Sequence, residues 1–239
     1  IGLTHLPVFY MQGGLNGKKL AEGQLRFGNE LEQYLRILDQ TQDSLQNAPK
    51  DYFLGMAPHS LRAVSPEFLK EIVEARSSDT VHIHIAEQLK EVEEIQTHFD
   101  ARPVEWLLNN IAVDSRWCLI HATHMTQQET QNLAKSGAVV GLCPITEANL
   151  GDGVFDGTEL LLSGGKYGIG SDSNVRISLT EELRLLEYSQ RLVRKERNVM
   201  TSKIGSVGRA LYDDSLTGGA QALARKSGSI VHGNWADLL

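Results

Sequence analysis

Short apolar runs alternate along this chain with longer stretches in which apolar residues recur every three or four positions. The runs Gly2–Tyr10, Tyr52–Ala57, Val81–Ala86, Trp117–Ala122, Ala138–Cys143 and Gly168–Gly170 predict strands, most of them apolar enough to be buried on both faces. The intervening periodicity predicts helices over Gly23–Asp43, Ser65–Arg76, Leu89–Thr97, Pro103–Asn110, Thr126–Ser136 and Thr180–Arg197. Local signals agree. Ser65-Pro66-Glu67 places an N-cap before a first-turn proline, and Thr126-Gln127-Gln128-Glu129 is a capping-box spelling. Lys135-Ser136-Gly137 reads as a helix end feeding the next strand.

A repeated strand-then-helix rhythm predicts a parallel sheet covered by helices, either doubly wound or closed into a (β/α)8 barrel. The ends of successive strands carry Tyr10, His59 with Arg62, His84 with Glu87, His121 with His124, Thr146 with Glu147, and Asp172. Chemistry at every strand end favours the barrel, whose loops all face one site, over a doubly wound sheet with a single switch point. No G-x-G-x-x-G follows the first strand, and no Walker loop occurs. Six strands are legible where closure needs eight. The chain also begins inside an apolar run and stops at ADLL in mid-pattern. The expectation is a piece of a longer protein, with residues 1–227 a partial (β/α)8 barrel lacking its first strands. Residues 228–239 (GSIVHGNWADLL) break the rhythm and are expected to start a small β-sandwich domain.

Composition narrows the partners. The 239 residues are 41% hydrophobic with a formal charge of −7 and no basic cluster, which argues against nucleic acid. No apolar run approaches the ~20 residues needed to span a bilayer, so no membrane partner is expected. Cys118 and Cys143 both sit in apolar runs and read as buried free thiols of a reducing, cytoplasmic setting.

The candidate chemistry starts at VHIHIAEQ (81–88), where period-two alternation puts His82 and His84 on one strand face and Glu87 three residues on. His121 and Asp172, the latter in GSDSN, end later strands. Neutral imidazoles and a carboxylate are ligand types for zinc or ferrous iron in a hydrolytic site. A carboxylate beside a metal-bound water can accept its proton. His82 against His84, and His121 against His124, remain alternatives on spacing alone. His5, His98 and His232 read as structural, and Met125, Cys118 and Cys143 as core.

HIHIAEQ, then HATHM, then GSDSN resembles the amidohydrolase superfamily of metal-dependent deaminases. APHSLRAV (57–64), RPVEWLLNN (102–110) and CPITEANLGDGVFDG (143–157) extend the likeness through nearly the whole chain. The resemblance implies hydrolytic release of ammonia from a formimino group on a small anionic, amino-acid-derived substrate, a step of histidine degradation. It implies one divalent metal, zinc favoured over iron, with His84 and Asp172 as ligands. It makes Glu87 the proton shuttle, and has His121 orient the attacking water. Asp172 also accepts a proton, and His59 with Arg62 holds a substrate carboxylate. A homodimer fits the family. The H-x-H that the family carries on its first strand has no counterpart in these residues. Two other readings stand beside this one: a deaminase or chlorohydrolase of a purine, pyrimidine or triazine ring, and a metal-free barrel used only for binding. Aromatic residues make up 6% of the chain, few for the walls that a flat ring would want.

Overall fold

The computed structural model describes residues 2–174, 176–201 and 205–236. All strand pairings are parallel, in the order β1-β3-β4-β5-β6-β7, with β2 also on β3. The strands are β1 (Leu3–His5), β2 (Val8–Phe9), β3 (Tyr52–Pro58), β4 (Thr80–Ile85), β5 (Trp117–His121), β6 (Val139–Leu142) and β7 (Lys166–Ile169). From β3 to β7 each strand pairs with the next in sequence. A doubly wound sheet would reverse direction at a switch point; uninterrupted winding is the path of a (β/α) barrel, here present as a half-barrel.

The helices are α1 (Leu31–Leu45), α2 (Pro66–Ala75), α3 (Leu89–Phe99), α4 (Pro103–Asn110), α5 (Gln127–Ser136), α6 (Pro144–Leu150), α7 (Gly157–Leu162), α8 (Leu179–Arg194) and α9 (Val207–Ala222). The capping signals act as their spelling implies. Ser65 Oγ accepts from Phe68 N, and the Glu129 carboxylate accepts from Thr126 N at 2.8 Å. Gly137 takes the left-handed conformation at φ 81° that ends α5.

Three expectations change. The first strand breaks at Leu6-Pro7 into β1 and β2. The long helix expected over Gly23–Asp43 is a 3-10 helix at Glu22–Phe27, then extended chain, then α1. Asn29 explains that break: its side chain accepts from Tyr10 N at 3.0 Å and donates to Val8 O at 2.8 Å, ties that a continuous helix could not make. Three helices, α6, α7 and α9, stand where no helix was expected, and Glu147 lies on α6.

Helix α9 was hidden by Thr-Gly-Gly-Ala in its centre, which reads as loop. Those glycines serve packing. A Cβ on Gly218 would come within 1.9 Å of Tyr167 O, so only glycine lets α9 lie against β7. The C-terminal end of α9 then runs beneath the starting ends of the strands. Thr4 Oγ1 donates to Leu223 O at 2.7 Å, Arg225 donates to Asp51 O at 2.6 Å, and the Gln221 amide donates to both Ser115 O and Gly137 O. This is the floor of the half-barrel. Residues 228–236 form turns, with Trp235 N donating to Lys226 O at 2.8 Å, and 237–239 of the expected β appendage lie outside the described residues.

Candidate active site at the strand ends

The opposite ends of the same strands bring four rings into a row. Tyr10, just after β2, meets His59 edge-on with centroids 4.5 Å apart, and His59 stacks on His84 at 4.8 Å. His84 meets His121 at 5.6 Å. Adjacent parallel strands β4 and β5 set that last pair, because His84 registers with Ile120 and Ile85 with His121.

The two histidines of the HIH run part company. His82 Nε2 donates to Ala222 O at 2.8 Å, on the floor. His84, two residues nearer the rim, donates from Nδ1 to His59 O at 3.0 Å. Since a carbonyl only accepts, the proton of neutral His84 is on Nδ1 and Nε2 keeps its lone pair free, as a metal ligand requires. Burial lowers the His84 pKa, helped by His121, which favours the neutral ligand form. His124 turns from the row and donates to Asp152 O at 2.7 Å.

His121 is almost wholly buried. Its Nδ1 lies 3.2 Å from Glu147 Oε1, and its Nε2 3.7 Å from Glu87 Oε1. Burial alone would lower its pKa; the Glu147 hydrogen bond and the charges of Glu87, Glu147 and Asp172 outweigh that and raise it. Glu87 is held from below by α3, where the Glu91 carboxylate accepts from Ala86 N and Glu87 N at 3.1 and 3.0 Å. Burial raises the Glu87 pKa, against the pull of His121, so its carboxylate holds a proton more readily than an exposed one. Asp172 is exposed at the end of the β7 segment, and its charge acts on both His84 and His121. Four non-glycine residues at this rim sit at positive φ: Ala86 (50°), His121 (66°), Ala122 (47°) and Asp172 (53°). Such backbone clusters where side chains must be aimed.

His59 and Arg62 border a cleft of about 710 Å³ that is also lined by Tyr10, Gln12, Lys18 and Lys90. Burial, with the neighbouring His84 ring and the Arg62 charge, pushes the His59 pKa down to about 3, so its ring is neutral. The Arg62 side chain is half-buried with Nη1 3.9 Å from Glu94, and its Nε is buried without a protein partner.

Glu147, which the sequence places at a strand end without a role, reaches His121. Its signal in the sequence was Cys143-Pro144 followed by a Glu three residues on, the spelling of a helix start. Ligand atoms of His121, Cys143 and Glu147 lie within 4.8 Å of one another, a grouping that can hold a metal. Burial raises the Cys143 thiol pKa, however, and a thiol must lose its proton to ligate. His84 offers an imidazole nitrogen whose second nitrogen is already engaged, and Asp172 an anionic oxygen, both ligand types for a divalent cation.

A family model described as "Amidohydrolase family" matches residues 26–239. The chain belongs to the amidohydrolase family. It is 51% identical, over 100% of its length and 53% of the relative, to the formimidoylglutamate deiminase of Pseudomonas aeruginosa. It is 33% identical to a 5-methylthioadenosine/S-adenosylhomocysteine deaminase of Archaeoglobus fulgidus, over 77% of this chain and 43% of that one. A crystal structure of an amidohydrolase from Brucella melitensis superposes with a TM-score of 0.91 at 52% identity, over 93% of this chain and 50% of that one. This amidohydrolase chain thus spans about half the length of the relatives it matches. Among its described residues, no helix is long and apolar enough to cross a membrane.

Proposed function

We propose that the full-length protein hydrolyses the formimino group of N-formimino-L-glutamate, giving N-formyl-L-glutamate and ammonia. The observation that carries this reading is 51% identity across the whole chain to a formimidoylglutamate deiminase. The rim supports it with a row of histidines, a partly buried glutamate facing His121, and a cleft lined by Arg62, Lys18 and Lys90 together with Glu93 and Glu94.

His84 and Asp172 would hold one divalent cation, zinc favoured over iron. When bound, such a cation lowers the pKa of a water toward ~7 and makes hydroxide available at neutral pH. The other work falls to this chain. Arg62 fixes a substrate carboxylate by charge-assisted hydrogen bonds, while neutral His59 donates one from its ring. Glu87 takes the proton of the attacking water as the C–O bond forms at the formimino carbon, then delivers it to the nitrogen that leaves as ammonia. His121 faces Glu87 through Nε2 and orients the water. Asp172 accepts the second proton of the same water as the carbon–nitrogen bond breaks, and that proton passes to the departing nitrogen, so both water protons leave in ammonia.

The same reading places the enzyme in the cytoplasm, as a homodimer with a small anionic substrate and no nucleic-acid or membrane partner. It assigns residues 1–227 to the catalytic barrel and 228–239 to the start of a small β domain. Metal-loaded full-length enzyme is expected to release ammonia from N-formimino-L-glutamate and to lose that activity on chelation. Turnover of guanine or cytosine with none of the formimino acid would overturn the substrate assignment.

A further inference from the structure

We propose that Glu147 is a positioning residue for His121, fixing which ring nitrogen faces the reacting atoms. The proposal rests on the hydrolytic reading above, in which His121 orients the attacking water. His121 lies between two carboxylates, Glu147 Oε1 3.2 Å from Nδ1 and Glu87 Oε1 3.7 Å from Nε2. Only one of these is anchored. The same Oε1 of Glu147 accepts from Cys143 N at 2.8 Å, and the residue is buried on the first turn of α6. Glu87 is more open and sits at the mouth of the site. The anchored oxygen therefore claims the Nδ1 proton. In neutral His121 the lone pair then lies on Nε2, directed to Glu87 and the reacting water.

Backbone geometry makes such an anchor necessary. His121 and Ala122 both occupy the left-handed region, at φ 66° and 47°, where L-residues with a side chain are strained. Strand register puts His121 beside β4 but leaves the rotation of its ring to side-chain contacts. Ala122 N donates to Ile85 O and His124 N to Ala86 O, which hold the chain and leave the imidazole to be set by Glu147. The competing use of Glu147 is as a plain cap for α6, through Cys143 N. A cap alone requires no histidine, and helix α6 has a second buried carboxylate at its start, Glu182, accepting from Ile145 N at 2.8 Å.

The test uses metal-loaded full-length protein labelled with 15N-histidine, with the His121 signals assigned by their loss in His121→Asn. Wild type is expected to show His121 protonated at Nδ1, with that proton shifted downfield by its bond to Glu147; an Nε2-protonated neutral ring would overturn the proposal. In Glu147→Gln the downfield shift should disappear. The kcat should fall about 10- to 100-fold with KM within threefold, the range usual for partners that orient a site group. A kcat within twofold of wild type would overturn the proposal. So would an equal fall of kcat in Gly218→Ala, a variant on the opposite face that lowers stability without touching the rim. The tautomer measurement needs no substrate, and the one variant it uses, His121→Asn, serves only for assignment. If wild type fails to release ammonia from N-formimino-L-glutamate while His121 is Nδ1-protonated, the substrate reading falls and the positioning role stands.

Discussion

The two ends of one set of strands are built on different terms. At the floor, the polar groups that α9 reaches are paired. Ala222 O receives His82 Nε2, and Gln221 bridges Ser115 O and Gly137 O while accepting from Lys166 at 2.6 Å. At the rim, His84 keeps a bare nitrogen, Arg62 Nε has no protein partner, and four side-chain-bearing residues sit at positive φ. Fully paired groups add stability by avoiding the cost of burying a lone donor or acceptor, whereas unpaired ones keep capacity for a ligand. The contrast teaches where substitutions should damage folding and where they should damage only turnover.

The sharpest break should come at Glu87. Glu87→Gln is expected to lower kcat about 10³-fold in steady-state assays of the loaded full-length enzyme, with melting temperature unchanged. A large fall in melting temperature would make Glu87 part of the scaffold. Next comes Arg62→Ala, expected to raise KM for the formimino acid about 10- to 100-fold with a smaller change in kcat, the loss of one charge-assisted contact. The floor should respond in the opposite manner. Gly218→Ala forces a methyl against Tyr167 O and should cost about 2–3 kcal/mol, a fall of several degrees by calorimetry, with kcat retained. If that variant melts like wild type, close approach of α9 is not what the glycine serves.

The smallest effect sharpens the boundary between the two regions. Glu182 is buried, one of its oxygens has no partner, and burial raises its pKa above the ordinary carboxylate value of 4.5. A folded-state pKa above the unfolded one means the protonated form is favoured in the fold. Its contribution is present below pH 4.5 and is lost as pH rises through the folded pKa. Glu182→Gln should therefore melt slightly higher than wild type near neutral pH, with the gap closing toward pH 4. A gap that widens in acid would reverse the assignment.

Much of this was legible in the amino-acid order. The strands were marked by apolar runs, and α2 and α5 by their caps. The rim histidines were marked by their place at the ends of those runs. What stayed hidden had physical causes. Asn29 breaks a helix by bonding to a strand 19 residues away in sequence, which no local pattern records. Gly218 and Gly219 read as a loop because their reason is a neighbour's carbonyl, not their own conformation. Glu147 carried no role in the sequence because its partner, His121, lies 26 residues earlier and meets it only once β5 and β6 are side by side. His82 and His84 could not be separated by periodicity, since both point to one face; the carbonyl that engages His82 belongs to a helix 140 residues later.

The floor helix also orders events in time. Its hydrogen bonds join residues separated by as many as 219 positions, so almost the entire stretch must be synthesised before the clasp can close. Nascent strands would wait with their starting ends unlatched, and latching should be among the slow, late steps of folding.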